Sequence, residues 1–360
     1  MLKQFEIYLK KTILTLFLKY YRNHKTISEI IDFKGKKVLF IRLNRIGDAL
    51  VTTPLLHLLK SKLEIKIHVL ADKKNYFVFS GQSYIDKTII FKKGVKGYLE
   101  FRKNILLEKY DIIVDLHDDT SATVSFLLSM VSNSQVFGLK KKNLNLYTNT
   151  IERADSSKTH VVERISDIAK LFKLNIDVNE LNIVYEYTKD DIENVNEFLA
   201  QAYKQSKPLV GINIIAGNKS RFWGINRYNT LIELLKKYNV NIIIITTPKE
   251  IKTAYDITQG EVPIYYSNKF TRISALVSKL DFLFTPDTSI VHLASIYKVP
   301  VFGLYVKFKT NDIIWYAYKS EHEEYITEEE NFDNLNFELI ENKFVKFFEK
   351  ILNGKRNLYL

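Results

Sequence analysis

Apolar residues along this 360-residue chain fall into two repeating series. In the first, short runs rich in β-branched residues occupy 37–43 (KVLFIRL), 66–71 (KIHVLA), 88–91 (TIIF) and 111–116 (DIIVDL), with helical spacing between them at 54–63, 97–109 and 119–131. The second runs through 208–215 (PLVGINII), 240–247 (VNIIIITT), 262–266 (VPIYY), 281–286 (DFLFTP) and 299–305 (VPVFGLY). Helical stretches at 226–238, 249–258, 271–279 and 289–297 punctuate it. Strands that are apolar nearly throughout, rather than at alternate positions, belong to parallel sheets covered on both faces. Two such series predict an α/β protein of two doubly wound units.

The junction falls where LNIVYEYTKDD gives way to a charged helix and then to SKPLV. The predicted organisation is a helix over 1–30, a first domain over 31–185, a second over 186–335 and a last helix over 336–360. The segment NFELIENKFVKFFEKIL in that last helix is amphipathic and is expected to pack back toward the first domain. At the other end, Leu2, Phe5, Leu9, Ile13, Leu16, Phe17 and Tyr20 recur at three- and four-residue spacing among Lys3, Lys10, Lys11, Lys19, Arg22 and Lys25. Two readings of residues 1–25 stand: a basic amphipathic helix on an anionic membrane surface, or a helix packed on its own domain. The apolar run ILTLFL is far shorter than the ~20 residues that span a bilayer.

The chain has no cysteine, which excludes disulfides, thiolate metal sites and cysteine nucleophiles. A net charge of +12 favours anionic partners, phosphate esters among them. No zinc-finger spacing or RNA-binding signature accompanies that charge, so nucleic acid is not an expected partner. Seven histidines without clustered ligand spacing predict no bound metal and no other cofactor.

Ligands of open α/β sheets sit at the carboxyl ends of the strands, so two facing units predict a cleft lined by strand-to-helix loops. Three loops carry chemistry. The first, RLNRIGDALVTTP (42–54), has one glycine where a dinucleotide fingerprint needs three. Gly47 is expected to supply the turn after the strand, and Arg42 and Arg45 positive potential toward an anionic acceptor. Asp48 reads either as a cap of the following helix or as a general base on a hydroxyl. Thr53-Pro54 is an equally good helix start, which leaves Asp48 available for the second role. The second loop, TPDTSIVHLAS (285–295), places Asp287, Thr288 and Ser289 at a helix N-terminus, a position suited to phosphate oxygens. His292 lies one turn further, as a ligand contact or as part of the packing. The third, AGNKSRFWGINRY (216–228), offers Lys219 or Arg221 to a diphosphate, while Trp223 lies under a sugar or in the core.

Taken in order, these loops resemble glycosyltransferase family nine, the bacterial heptosyltransferases of lipopolysaccharide core assembly. The resemblance rests on Arg42, Gly47, Asp48 and Pro54, on Arg221 two residues before Trp223, and on Asp287, Thr288, His292 and Ala294 followed by Pro300 and Leu304. It implies a GT-B architecture, two Rossmann-like doubly wound domains facing across a cleft, and inverting, metal-independent transfer from an ADP-activated heptose. Asp48 would then take the acceptor's proton. Arg221, Thr288 and Ser289 would stabilise the departing diphosphate, and Glu250 is the nearest match to an acid that contacts the ribose. The acceptor implied is a lipid-linked saccharide, reached by a cytoplasmic enzyme peripheral to the inner membrane.

Two positions depart from the family pattern. Ser289 stands where glycine is common, and arginine replaces the more frequent lysine before the tryptophan. The adjacent aspartates of HDDT (117–120) lie in the other domain and read as a helix start. Transfer from another nucleotide sugar, sugar-nucleotide epimerisation and non-catalytic nucleotide-sugar binding are the competing readings.

Overall fold

The computed structural model describes Thr12, Thr15, Leu18 and residues 32–356. The chain divides into two compact units, Met1–Val184 and Tyr185–Leu360. In the first, strands β1 (Lys37–Arg42), β2 (Lys66–Asp72), β3 (Lys87–Phe91), β4 (Ile112–Asp115), β5 (Gln135–Leu139) and β6 (Asn149–Ile151) form one sheet. Its order is β3-β2-β1-β4-β5-β6, and every pairing is parallel.

The second unit repeats this winding. Its strands are β7 (Leu209–Asn213), β8 (Asn241–Thr246), β9 (Ile264–Tyr266), β10 (Phe282–Pro286), β11 (Val301–Val306) and β12 (His322–Thr327). They lie in the order β12-β11-β10-β7-β8-β9, again all parallel. Val38–Arg42, Ile112–Asp115 and Leu209–Asn213 are buried at every position, as continuous apolar runs require when helices cover both faces.

Three strands lack the expected signature. β5 (QVFGL) carries glutamine and glycine, and β6 (NTI) has three residues. β12 (HEEYIT) is an edge strand, exposed enough to tolerate two glutamates and a histidine. Edge strands need only half an apolar face, so hydropathy alone does not mark them.

The C-terminal helix Phe337–Arg356 is placed otherwise than expected. Ile340, Phe344, Phe347, Phe348 and Ile351 recur at helical spacing and sit in the second unit's own core. Phe344 meets the rings of Phe282, Phe284 and Phe302 at centroid distances of 5.9, 5.8 and 5.3 Å. That apolar stripe is thus satisfied inside the second unit's own core.

The basic N-terminal segment lies outside the described residues except for Thr12, Thr15 and Leu18. Leu18 packs against the first unit's apolar cluster, and its carbonyl accepts a 2.9 Å hydrogen bond from Asn145 Nδ2. Among the described residues, no helix is long and apolar enough to cross a membrane.

Phe344 is fully buried, and its removal leaves a cavity among three aromatic rings. Phe344→Ala is therefore expected to cost about 3–5 kcal/mol of stability. Urea unfolding followed by tryptophan fluorescence checks this, because Trp223 packs in the same cluster.

Candidate functional site

In each sheet, winding reverses beside the first strand, between β1 and β4 and between β7 and β10. Loops leaving the carboxyl ends of such strands diverge and open a crevice. The sequence-predicted residues end or follow β1, β7 and β10 at these two places, except Glu250, which follows β8.

Arg42 ends β1 and is fully buried. Its Nη1 donates to the Leu116 carbonyl at 2.5 Å, its Nε to the Asp48 carbonyl at 2.8 Å, and its Nη2 to Asp48 Oδ1 at 3.3 Å. Burial lowers its pKa, while Asp48 and Asp115 oppose that shift, and a guanidinium stays charged throughout. A buried guanidinium cannot meet an acceptor, so the expectation that Arg42 faces the acceptor is corrected: it anchors Asp48. Arg45 is exposed.

Asp48 belongs to a one-turn helix, Ile46–Leu50. Its Oδ2 accepts the Arg45 backbone N–H at 3.3 Å, and its Oδ1 accepts Asn44 Nδ2 at 3.2 Å as well as Arg42. The carboxylate thus caps its own short helix, not the following one. That next helix, Thr53–Lys62, has Thr52 at its cap position, but the Thr52 hydroxyl donates to the Ala49 carbonyl at 2.6 Å. Gly47 lies inside the short helix that follows the strand and is not among the residues with positive φ.

Behind this loop lies a polar cluster that the sequence reading passed over. Asp115, the last residue of β4, is fully buried. Its Oδ1 accepts from His117 Nδ1 at 2.7 Å, and its Oδ2 from Lys141 Nζ at 2.7 Å and the Tyr147 hydroxyl at 2.6 Å. Gly138 lets the tyrosine approach: a Cβ there would lie 2.6 Å from Tyr147 Cε1. His117 Nε2 accepts the Leu43 backbone N–H at 3.2 Å, which requires a neutral ring with its proton on Nδ1. Burial lowers the His117 pKa against the pull of Asp115. Burial alone would raise the Asp115 carboxyl, but Lys141 and His117 hold it far below the usual carboxylate range. Asn75, also buried, donates to the carbonyls of Arg42 and Asn44 at 3.1 and 3.0 Å. The loop bearing Asp48 is therefore fixed from both neighbouring strands.

The next aspartates do not start a helix. Asp118 accepts from Arg153 Nη2 at 2.9 Å and Arg164 Nη2 at 2.7 Å, while Ser121 caps the helix Ala122–Ser129. Among the described residues, no group of three acids and histidines is placed to hold a metal ion.

In the second unit, Asn213 ends β7 and ties it to the loop after β10. Its Nδ2 donates to Thr285 Oγ1 at 2.9 Å and Thr288 Oγ1 at 3.0 Å. Arg221 Nε lies 3.4 Å from Asp287 Oδ2, both side chains being partly exposed, so Asp287 orients the arginine. Thr288 and Ser289 precede the helix Ile290–Tyr297 and are partly exposed. Glu250, at the start of the helix Ile251–Thr258 beyond β8, accepts the Thr247 hydroxyl. The buried Thr246 hydroxyl at the end of β8 has no hydrogen-bond partner among the described residues.

Two residues expected to meet the donor are placed elsewhere. Trp223 is fully buried, donates from Nε1 to the Leu335 carbonyl at 2.8 Å, and packs on Tyr228, Phe284 and Phe337. It cannot lie under a sugar; it anchors the loop that carries Arg221. His292 is also buried, with its ring centroid 6.2 Å from that of Trp315.

Two doubly wound units with polar loops at both switch points define a double Rossmann-like α/β architecture. Residues 98–343 match the model of glycosyltransferase family 9 (heptosyltransferase), and the chain belongs to this family. It is a glycosyltransferase.

The chain is 22% identical over 222 residues to the lipopolysaccharide core heptosyltransferase OpsX of Haemophilus influenzae, a match spanning 59% of this chain and 62% of that protein. A family 9 glycosyltransferase structure from Veillonella parvula superposes with a TM-score of 0.75 at 18% identity, covering 91% of this chain and 100% of that one. The Escherichia coli heptosyltransferase WaaC with ADP gives a TM-score of 0.67 at 15% identity, covering 88% and 99%. These likenesses show the fold, the GT-B architecture of two Rossmann-like units.

The neutral His117 makes stability depend on pH. In the unfolded chain this histidine titrates near ~6.5, whereas its folded pKa is depressed. Its contribution is therefore complete above that pH and lost as pH falls below it, by up to about 1.4 kcal/mol per unit. Urea unfolding at pH 7 and pH 5 is expected to show a smaller pH dependence for His117→Gln than for the unmodified chain.

Proposed function

We propose that the chain transfers a heptose or related sugar from an ADP-activated donor to a lipopolysaccharide-core or other lipid-linked saccharide, with inversion and without a metal. The observation that carries this reading is the state of Asp48. Three hydrogen bonds orient the carboxylate, two to Oδ1 and one to Oδ2. Each carboxylate oxygen offers two acceptor positions, so one on Oδ2 stays open among the described residues. The side chain keeps 18% of its surface exposed at the carboxyl end of β1, where an acceptor hydroxyl can reach it.

In this mechanism Asp48 accepts the proton of the acceptor hydroxyl as that oxygen attacks the anomeric carbon. The bond from that carbon to the diphosphate breaks, and the configuration inverts. Arg221, held by Asp287, faces the charge that develops on the leaving diphosphate, with the Thr288 and Ser289 hydroxyls beside it. Glu250, at the start of the helix after β8, is assigned to the nucleoside. The relatives' printed names support the donor and pathway, as OpsX is a lipopolysaccharide core heptosyltransferase and WaaC was solved with ADP. A lipid-borne acceptor places the reaction at the inner face of the inner membrane, where the basic residues 1–25 have an anionic partner.

Asp48→Asn is expected to lower turnover by about 10²–10⁴-fold while leaving the thermal shift by ADP in place. Near-normal turnover in that variant would overturn the base assignment. In a thermal-shift comparison of ADP-, GDP-, UDP- and CMP-sugars, the ADP form is expected to stabilise the chain most, with or without EDTA. Arg221→Ala is expected to weaken that shift.

A further inference from the structure

A surface helix ordinarily turns its polar residues to solvent. The helix Val95–Glu108 does not. Its inner face is made by buried Gly97 and Phe101, with Tyr98 and Ile105 packed against the first unit's apolar cluster. Its outer face carries Val95, Leu99 and Leu106, which are 76%, 63% and 62% exposed. At 3.6 residues per turn these three fall within an arc of roughly 40°, and Leu107 (68% exposed) lies outside it, beyond the flanking lysines. So many large aliphatic side chains on one solvent face mark an interaction surface.

The charge around this stripe is mostly positive. Arg102 flanks it on one side, Lys96 and Lys103 on the other, and all three are exposed. No acid pairs with them among the described residues. Lys92 and Lys93 continue the basic rim at the helix start, each near one carboxylate, Glu100 at 2.9 Å and Asp72 at 3.5 Å. Glu108 is turned away, bound to Lys37 and Lys87.

An apolar centre with a basic rim fits the boundary between anionic headgroups and acyl chains. A second copy of the chain would bring the same cations face to face, which disfavours symmetric self-association. We propose that the outer face of helix Val95–Glu108 docks on an anionic lipid surface, with its leucines at the acyl boundary and its cations on the headgroups. Docking of this kind needs neither donor nor acceptor and is separable from residues 1–25.

The test is co-sedimentation of the full chain with vesicles of phosphatidylcholine, alone or mixed with phosphatidylglycerol. Two double variants are compared, Leu99→Ser with Leu106→Ser and Lys96→Glu with Lys103→Glu. All four side chains are exposed, and an unchanged thermal midpoint verifies folding. The unmodified chain is expected to bind the anionic vesicles and not the neutral ones, and each double variant to lose about ten-fold or more in partitioning. Equal binding by all three proteins would place any membrane contact elsewhere, in residues 1–25 among other places, and overturn the proposal. So would absence of binding by the unmodified chain. A concentration-dependent dimer, seen by light scattering and abolished by the leucine variant, would assign the face to a second copy instead.

Discussion

The buried guanidinium of Arg42 is the contact on which the first unit's site depends. It reaches from the end of β1 to the carbonyl after β4 and to both backbone and side chain of Asp48. A charge removed from water is tolerable only when its donors are satisfied, and here three acceptors surround it. The cost of that burial is set against rigidity at the switch point. A carboxylate that must meet a hydroxyl in one orientation gains from a partner that cannot drift into solvent.

The same logic extends outward. Asp115, His117, Lys141 and Tyr147 form a second, fully buried layer that grips the backbone of the loop at Leu43. Asn75 holds the same loop from the β2 side. None of these groups needs to touch a substrate; their chemistry is spent on geometry. In the second unit Asn213 plays the bridging part between β7 and β10, and Trp223 anchors the loop whose arginine faces outward. Both units thus hold a partly exposed charged side chain over a fully buried polar or aromatic anchor.

Much of this was legible in the chain and some was not. Nine of the twelve strands announce themselves as apolar runs, and all of these but the edge strands β3 and β9 are largely buried, where cover on both faces leaves little room for polar residues. β6 and β12 do not, being edge strands, and neither does β5, an interior strand that carries glutamine and glycine. Among the candidate site residues, Asp48, Arg221, Asp287 and Thr288 lie in the segments that follow apolar strands and are partly exposed. Arg42, Trp223 and His292 carry the same chemical promise in sequence but lie buried. A sequence lists what a side chain can do without saying which way it points.

The sequence by itself determined the two series of strands and the loops that follow them, since these follow from hydropathy period and local turn signals. The tertiary structure decided which of the charged residues face solvent and which are anchors. It also decided the neutral state of His117 and the placing of the C-terminal helix on the second unit's core. Those outcomes depend on partners 74 residues away, as Arg42 on Leu116 or Leu43 on His117, and on up to 112, as Trp223 on Leu335. Hydrogen bonds and burial are set by neighbours in space, which no local window of the chain contains.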